Sequence, residues 1–384
     1  MEKRTNFKGY NRLYRLVRHI ICPLIVKKSG FTGEQIPENI GPRFILCNHN
    51  TDFDFLLLVS VSGEPMDFVA TEAMLRMGFV PGLVARKLHI ILHDKGSKGI
   101  HTLKQIVGRI GEERSVVLFP EGNRSFDGRT GSISGAVGKI ALLTGASLVV
   151  YRLTGGYFTA PRWGRGNRKG RMEGKVAVVL TPEEMKKMSP DELQRIIEEG
   201  LRTDAYEEQG EQPVRFRSLH RAEYLETLMF ICPACGKIGT LKSYKNMLGC
   251  ACGFSMEMDE YGYLWDNKKD RHSITALVDE QKKLLKKRLT AQDDDMLWKD
   301  RVHMNILGMN HVVQTEADCD LTGFNDYLMV GEERLPIDRI DSVDIVQRNR
   351  LLIHVKDQAA HYEFTGDKIF NAVKYRIWYE RVSL

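Results

Sequence analysis

Between residues 43 and 201, short apolar runs rich in β-branched residues alternate with longer amphipathic segments. No other feature of the chain narrows its fold as far. The runs are Phe44 to Cys47, Phe68 to Ala70, Leu88 to Leu92, Ser115 to Phe119, Leu148 to Leu153 and Val176 to Leu180. Helical spacing fills Phe53 to Ser60, Gly99 to Glu113, Ala136 to Thr144 and Pro190 to Leu201. A strand covered on both faces reads as a continuous apolar run, and a helix between consecutive strands brings the chain back parallel. The pattern predicts an α/β domain, a largely parallel sheet flanked by helices.

The pattern changes near residue 220. Length allows this, since 384 residues exceed the usual size of one domain. We expect a basic interfacial helix over 1–30, the α/β domain over 31–220, a cysteine-bearing ribbon over 221–265, a helical linker over 266–300 and a small β domain over 301–384. The linker includes the lysine-rich helical pattern Ser273 to Thr290 and the solvated run Asp293, Asp294, Asp295. In the last segment, alternating runs such as Leu351 to Lys356 and His361 to Phe364 precede an aromatic helix from Lys368 to Val382. A small sheet capped by a C-terminal helix resembles a pleckstrin-homology-like domain.

Composition excludes two classes. With 42% hydrophobic and 28% charged residues the chain is not mainly disordered, and no run approaches the ~20 apolar residues of a membrane-spanning helix. The net charge of +6 hides an asymmetry: residues 1–254 carry +11 and the rest −5. The first 30 residues alone hold +7. There Leu13, Leu16, Val17, Ile20 and Leu24 fall at helical spacing, flanked by Arg12, Arg15 and Arg18, the pattern of a helix lying on an anionic membrane surface. The run Ile20 to Val26 is short, contains Pro23 and leads into Lys27 and Lys28, so we do not read it as a cleaved leader. The expected location is the cytoplasmic face of the membrane, peripheral or monotopic.

Seven cysteines form no disulfide framework. Cys22, Cys47 and Cys319 are isolated. Cys232 and Cys235, then Cys250 and Cys252, make a C-x2-C and a C-x-C pair fourteen residues apart, each followed by glycine. Four thiolates at such spacing predict a closed tetrahedral site for a structural Zn2+, with no open position for catalysis.

Two stretches carry candidate chemistry. In Cys47-Asn48-His49-Asn50-Thr51-Asp52-Phe53-Asp54, His49 and Asp54 are about 500° apart on a continuous helix and can meet only across a turn. A strand-to-helix turn supplies one, and the carboxylate then holds one ring nitrogen while the other serves as a general base. Asp54 also has the spacing of a capping box with Thr51, and Cys47 either forms a dyad with His49 or is simply a small apolar residue. The second stretch is Phe119-Pro120-Glu121-Gly122-Asn123-Arg124-Ser125, after a strand, where open sheets bind ligands. Gly122 permits close backbone approach and Arg124 offers a planar fork for a phosphate or carboxylate; a polar turn is the plainer alternative.

Taken together, the two stretches resemble the first and third blocks of the glycerolipid acyltransferase family, which includes the 1-acylglycerol-3-phosphate acyltransferases. The resemblance covers about residues 40–205, with Asn123 standing where the family usually has threonine. It implies transfer of a fatty acyl group from acyl-coenzyme A or acyl-carrier protein to the hydroxyl of a lysophospholipid acceptor such as 1-acylglycerol 3-phosphate, giving phosphatidate. His49 would be the base and Asp54 its orienter, with Glu121, Gly122, Arg124 and Ser125 at the acceptor phosphate. In the second block, Ile90 to Gly96, His93 stands where the family has an arginine, so Lys95 is the replacement candidate or the acceptor differs. Glycerol 3-phosphate and other lysolipids are therefore alternative acceptors. Ala146 to Gly156 matches the acyl-donor block and is also a plain buried strand.

The basic loop carrying Arg162, Arg165, Arg168, Lys169 and Arg171 reads as solvated, with lipid phosphate as a second reading. Its glycines miss dinucleotide spacing, so no redox cofactor is expected. A rival class is a catalytically inactive scaffold that binds lipid or protein. Nucleic acid is not an expected partner, because the ribbon adjoins the −5 tail.

Overall fold

The computed structural model describes residues 8–71, 90–93, 99–290, 295–308, 312–358 and 361–380. The chain divides into two compact units, Met1–Pro161 with Arg168–Phe216, and Arg162–Asn167 with Arg217–Leu384.

The first unit is built on a seven-stranded sheet of β1 (Phe31–Gly33), β2 (Arg43–Cys47), β3 (Met66–Thr71), β4 (Ile91–His93), β5 (Ser115–Leu118), β6 (Ser147–Thr154) and β7 (Met172–Leu180). The order is β1-β7-β6-β2-β5-β3-β4. Every pairing is parallel except β6 with β7. The expected largely parallel sheet is thus mixed, and the exception has a local cause. Between Thr154 and Met172 the chain makes only the short helix Gly156–Thr159 and a loop. That connection holds no helix long enough to cover a face of the sheet, and β7 returns alongside β6 in the antiparallel sense. The three residues of β1, Phe-Thr-Gly, carry no period from which a strand could be predicted.

β2 lies at the centre and all five of its residues are buried. Ile45 and Cys47 face one core layer with Leu57, Leu58, Val149 and Tyr151. Phe44 and Leu46 face the other, with Ile106, Ala141, Leu193 and Ile197 from the covering helices Ile100–Gly111, Val137–Thr144 and Pro190–Leu201. Two covered faces explain why the strand is apolar without alternation.

The N-terminal segment is helix Lys8–Leu16, a π turn Val17–Ile21, and helix Cys22–Ser29. This turn splits the predicted stripe. Leu13 and Val17 join Tyr14 and Cys22 on the core, whereas Leu16, Ile20 and Leu24 are 53%, 56% and 65% exposed.

The second unit holds a five-stranded antiparallel sheet, β8 (Leu241–Tyr244), β9 (Met247–Cys250), β10 (Ser255–Met258), β11 (Leu264–Asp266) and β12 (Arg271–His272), in consecutive order. Helix Ile274–Leu289 follows, and the buried Gln281 ties it to the ribbon by accepting from Phe230 N–H and donating to Leu228 C=O. A second antiparallel sheet then forms a half-barrel from β13 (Trp298–Leu307), β14 (Val313–Gly323), β15 (Tyr327–Val330), β16 (Glu333–Pro336), β17 (Ile340–Val346), β18 (Arg350–Val355) and β19 (His361–Thr365). Its order is β16-β15-β14-β13-β19-β18-β17, closed by helix Val373–Glu380. Asp293 and Asp294 lie outside the described residues.

A buried ion pair locks that helix. Lys374 Nζ lies 2.6 Å from Asp300 Oδ2, and the Tyr375 hydroxyl donates to the same oxygen at 2.5 Å. Burial pulls the Lys374 ammonium below its ordinary range, and Asp300 opposes that shift. Lys374→Met leaves Asp300 without its cation and is expected to cost about 3 kcal/mol of stability, read by denaturant unfolding of the full chain. Unchanged stability would contradict the lock.

The basic loop differs from the solvated reading. Arg162 and Arg168 are buried. Arg162 donates to the carbonyls of Ile345 at 2.6 Å and Gln347 at 2.5 Å, at the end of β17. Arg165 pairs with Glu223, and Arg171 with Glu173.

Candidate active site

The chain leaves β2 at Cys47 and enters helix Asp54–Ser60 after a six-residue turn. Asn48 pins the start of that turn to β6, donating to Leu153 C=O at 2.8 Å and accepting from Leu153 N–H at 2.7 Å. His49 Nδ1 then lies 2.9 Å from Asp54 Oδ2. The same oxygen accepts the backbone N–H groups of Asn50 at 2.7 Å and Thr51 at 2.8 Å, and Oδ1 accepts the Thr51 hydroxyl at 2.5 Å. Of the two readings of Asp54, the structure shows the contact with the imidazole and no capping box. The fully buried carboxylate ties the turn together as well as holding the imidazole, but it caps no helical N–H, since the helix starts at Asp54 with Phe53 as its N-cap.

With Nδ1 committed to Asp54, Nε2 is the nitrogen left for chemistry. The His49 side chain is 26% exposed and its ring stacks on Phe119, centroids 4.5 Å apart. This fixes the ring plane. An imidazole held so by a carboxylate can take a proton from an attacking hydroxyl.

Cys47 does not form a dyad with it. Its Sγ is fully buried and lies 3.3 Å from Asn48 C=O, and burial, with the Asp54 charge second, pushes the thiol well above its ordinary range. A thiol so placed is not a nucleophile.

The stretch after β5 is stitched to this turn. Ser125 N–H donates to His49 C=O at 3.0 Å, and Glu121 Oε1 accepts His49 N–H at 2.8 Å. Glu121 Oε2 accepts Gly131 N–H at 2.6 Å. The Ser125 hydroxyl donates to Arg129 C=O and accepts Gly128 N–H. Glu121 and Ser125 thus spend their polar atoms on the loop itself. Gly122 has φ +65° with open space where a Cβ would stand, so its requirement is conformational. Arg124 Nε lies 3.1 Å from Asp52 Oδ1. Lys95 lies outside the described residues, as do Asp94 and Gly96 of the second block; His93 closes β4.

Burial raises Glu121 from 4.5 to about 7, with the two N–H bonds pulling the other way. Folding therefore favours its protonated form, so its contribution to stability is fullest below about pH 4.5 and is lost as the pH rises to about 7. The carboxylate needed to accept both N–H groups is complete only above that range. Glu121→Gln removes one acceptor from the backbone of His49 or Gly131, and we expect turnover to fall roughly tenfold or more, mainly in kcat. A loss confined to acceptor KM would instead mark Glu121 as a substrate ligand.

In the second unit the four sulfurs of Cys232, Cys235, Cys250 and Cys252 lie within 4.8 Å of one another. The Cys232–Cys252 and Cys235–Cys250 separations are 3.7 and 3.9 Å. A tetrahedron with metal–sulfur bonds of about 2.3 Å has edges of about 3.8 Å, so the set fits a metal ion. Knuckle bonds hold it: Gly236 N–H to Cys232 C=O at 2.8 Å, and Gly253 N–H to Cys250 C=O at 3.1 Å. The Thr240 hydroxyl stands 3.2 Å from Cys250 Sγ, placed to support a thiolate. All four cysteines of the sequence reading converge.

The mixed α/β sheet thus presents a carboxylate-held histidine at the carboxyl end of its central parallel strand. Residues 28–153, about a third of the chain, match the family described as Acyltransferase. Among curated relatives, the chloroplastic 1-acyl-sn-glycerol-3-phosphate acyltransferase LPAT1 of Arabidopsis thaliana is 30% identical over 132 residues, 32% of this chain and 34% of the relative. The match spans about a third of that relative's length. Among solved structures, the 1-acyl-sn-glycerophosphate (LPA) acyltransferase PlsC of Thermotoga maritima aligns with a TM-score of 0.43 at 20% identity, over 55% of this chain and 85% of that one.

Proposed function

We propose that the protein transfers a fatty acyl group from acyl-coenzyme A or acyl-carrier protein to the free hydroxyl of 1-acylglycerol 3-phosphate, forming phosphatidate. The observation that carries this reading is the 2.9 Å contact of His49 Nδ1 with Asp54, which leaves Nε2 for the acceptor hydroxyl. As the hydroxyl oxygen attacks the thioester carbonyl, Nε2 takes its proton and the imidazolium is stabilised by the buried carboxylate. Collapse of the tetrahedral adduct expels the thiolate, which recovers the proton from His49. No covalent acyl-enzyme is needed.

Arg124, with Lys95, is read as the cationic side of the acceptor site, matched to a phosphate. Gly122, Glu121 and Ser125 set the loop that presents it. Glycerol 3-phosphate is the second acceptor considered, because His93 replaces an arginine in the family pattern.

Two further readings complete the proposal. Exposed Leu16, Ile20 and Leu24 beside exposed Arg12, Arg15, Lys27 and Lys28 support seating on an anionic membrane, where both lipid substrate and product reside. Among the described residues no helix is long and apolar enough to cross one. The cysteine set is read as a structural zinc ribbon and the half-barrel with its closing helix as pleckstrin-homology-like.

The test is an acceptor panel with wild-type protein on anionic vesicles, using labelled acyl thioesters. We expect product from 1-acylglycerol 3-phosphate at least tenfold above that from a neutral monoacylglycerol. Equal use of the two would contradict a phosphate-binding role for Arg124.

A further inference from the structure

The turn that supplies the candidate base also supplies an anion to the residue read as the phosphate ligand. Asp52, three residues after His49, places Oδ1 3.1 Å from Arg124 Nε. The two ends of this pair differ in their surroundings. The Arg124 side chain is 12% exposed, so its position is set by the loop around it, whereas the Asp52 side chain is 73% exposed and is free to swing into solvent. The neighbouring backbone is tied elsewhere: Asn50 and Thr51 donate to Asp54, and Ser125 donates to His49. Moving Asp52 therefore breaks none of the bonds that hold the histidine.

We infer that Asp52 is a built-in competitor for the acceptor's phosphate, a carboxylate that occupies the Arg124 guanidinium until a phosphomonoester displaces it. An exposed carboxylate on a guanidinium is a weak partner, while a phosphate brings more charge and more acceptor oxygens to the same fork. The exchange favours phosphate, but at the cost of parting a pair already made. Asp52 thus sets how much anionic character an acceptor must have before it docks. This deepens the proposed reaction and rests on that reading of Arg124.

The test separates binding from turnover. Binding of sn-glycerol 3-phosphate and of inorganic phosphate to the full-length protein is measured by calorimetry for wild type, Asp52→Asn and Asp52→Glu. For Asp52→Asn we expect Kd to fall about two- to fivefold, the size of an exposed ion pair. Asp52→Glu keeps the charge and should stay near wild type. In turnover with 1-acylglycerol 3-phosphate the same gain should appear in KM rather than in kcat, which a merely structural role would not produce. An unchanged or weaker Kd in Asp52→Asn, or no phosphate binding by any of the three, overturns the inference. If wild type acylates the phosphorylated acceptor while Asp52→Asn binds no better, the competitor role fails and the reaction stands. If the Kd values move as expected but no acceptor is acylated, the competitor role stands and the reaction fails.

Discussion

His49→Ala is expected to lower acyl transfer by roughly a hundred- to ten-thousandfold, the range that general-base catalysis supplies, with the thermal midpoint of the protein little changed. The expectation of intact folding follows from the geometry. The His49 side chain makes one hydrogen bond, to Asp54, and stacks on Phe119, while its backbone N–H and C=O hold the loop through Glu121 and Ser125 and survive the substitution. Asp54→Ala should differ in kind. It removes the acceptor of two backbone N–H groups and a hydroxyl as well as the imidazole partner, so it should lose both activity and stability, by about 1 to 3 kcal/mol for each buried donor left unpaired. Steady-state rates together with melting curves of the two variants distinguish a removed base from a collapsed turn. A His49→Ala protein that retains wild-type turnover would exclude histidine as the base.

Removing the metal from the cysteine cluster should unfold the ribbon outright. Structural four-cysteine zinc sites contribute about 10 to 16 kcal/mol of apparent binding energy, more than a small sheet of five short strands can replace. Cys232 is fully buried, and the ribbon leans on helix Ile274–Leu289 through Gln281. Chelation, or Cys232→Ser, should therefore expose backbone amides from about Phe230 to His272 to rapid hydrogen exchange while β2, β5 and β6 stay protected. One equivalent of zinc by atomic absorption, lost with that protection, is the expected result. Full protection in metal-free protein would show that the four thiols pack without an ion.

What could be read from residues alone follows from how local the determining physics is. The central strands carry their own evidence, because burial on two faces leaves no polar residue in Phe44 to Cys47 or Leu148 to Tyr151. The cysteine set was equally plain, since spacing alone places four thiols. β1 was not, as its three residues form a strand only by meeting β7 about 140 residues on. At the site, the approach of His49 to Asp54 required only a turn, which the sequence supplied. The roles of Glu121 and Ser125 required knowing where backbone N–H groups of other segments end up, and residue type says nothing of that. Arg162 shows the same limit. Its charge suggested solvent or lipid, but two carbonyls 183 and 185 residues away take it. The predicted N-terminal stripe divides: Leu16 already lies off the face that Tyr14 buries, and the π turn that follows brings Ile20 and Leu24 out with it.

The central claim is direct acyl transfer to a phosphorylated acceptor through His49. The measurement that bears on it most directly is formation of labelled phosphatidate from labelled acyl thioester and 1-acylglycerol 3-phosphate, by zinc-loaded wild type and by His49→Ala. We expect phosphatidate from wild type and at most a hundredth of that rate from His49→Ala at equal folded concentration. Phosphatidate formed equally by both, or by neither with any thioester donor, would contradict the claim.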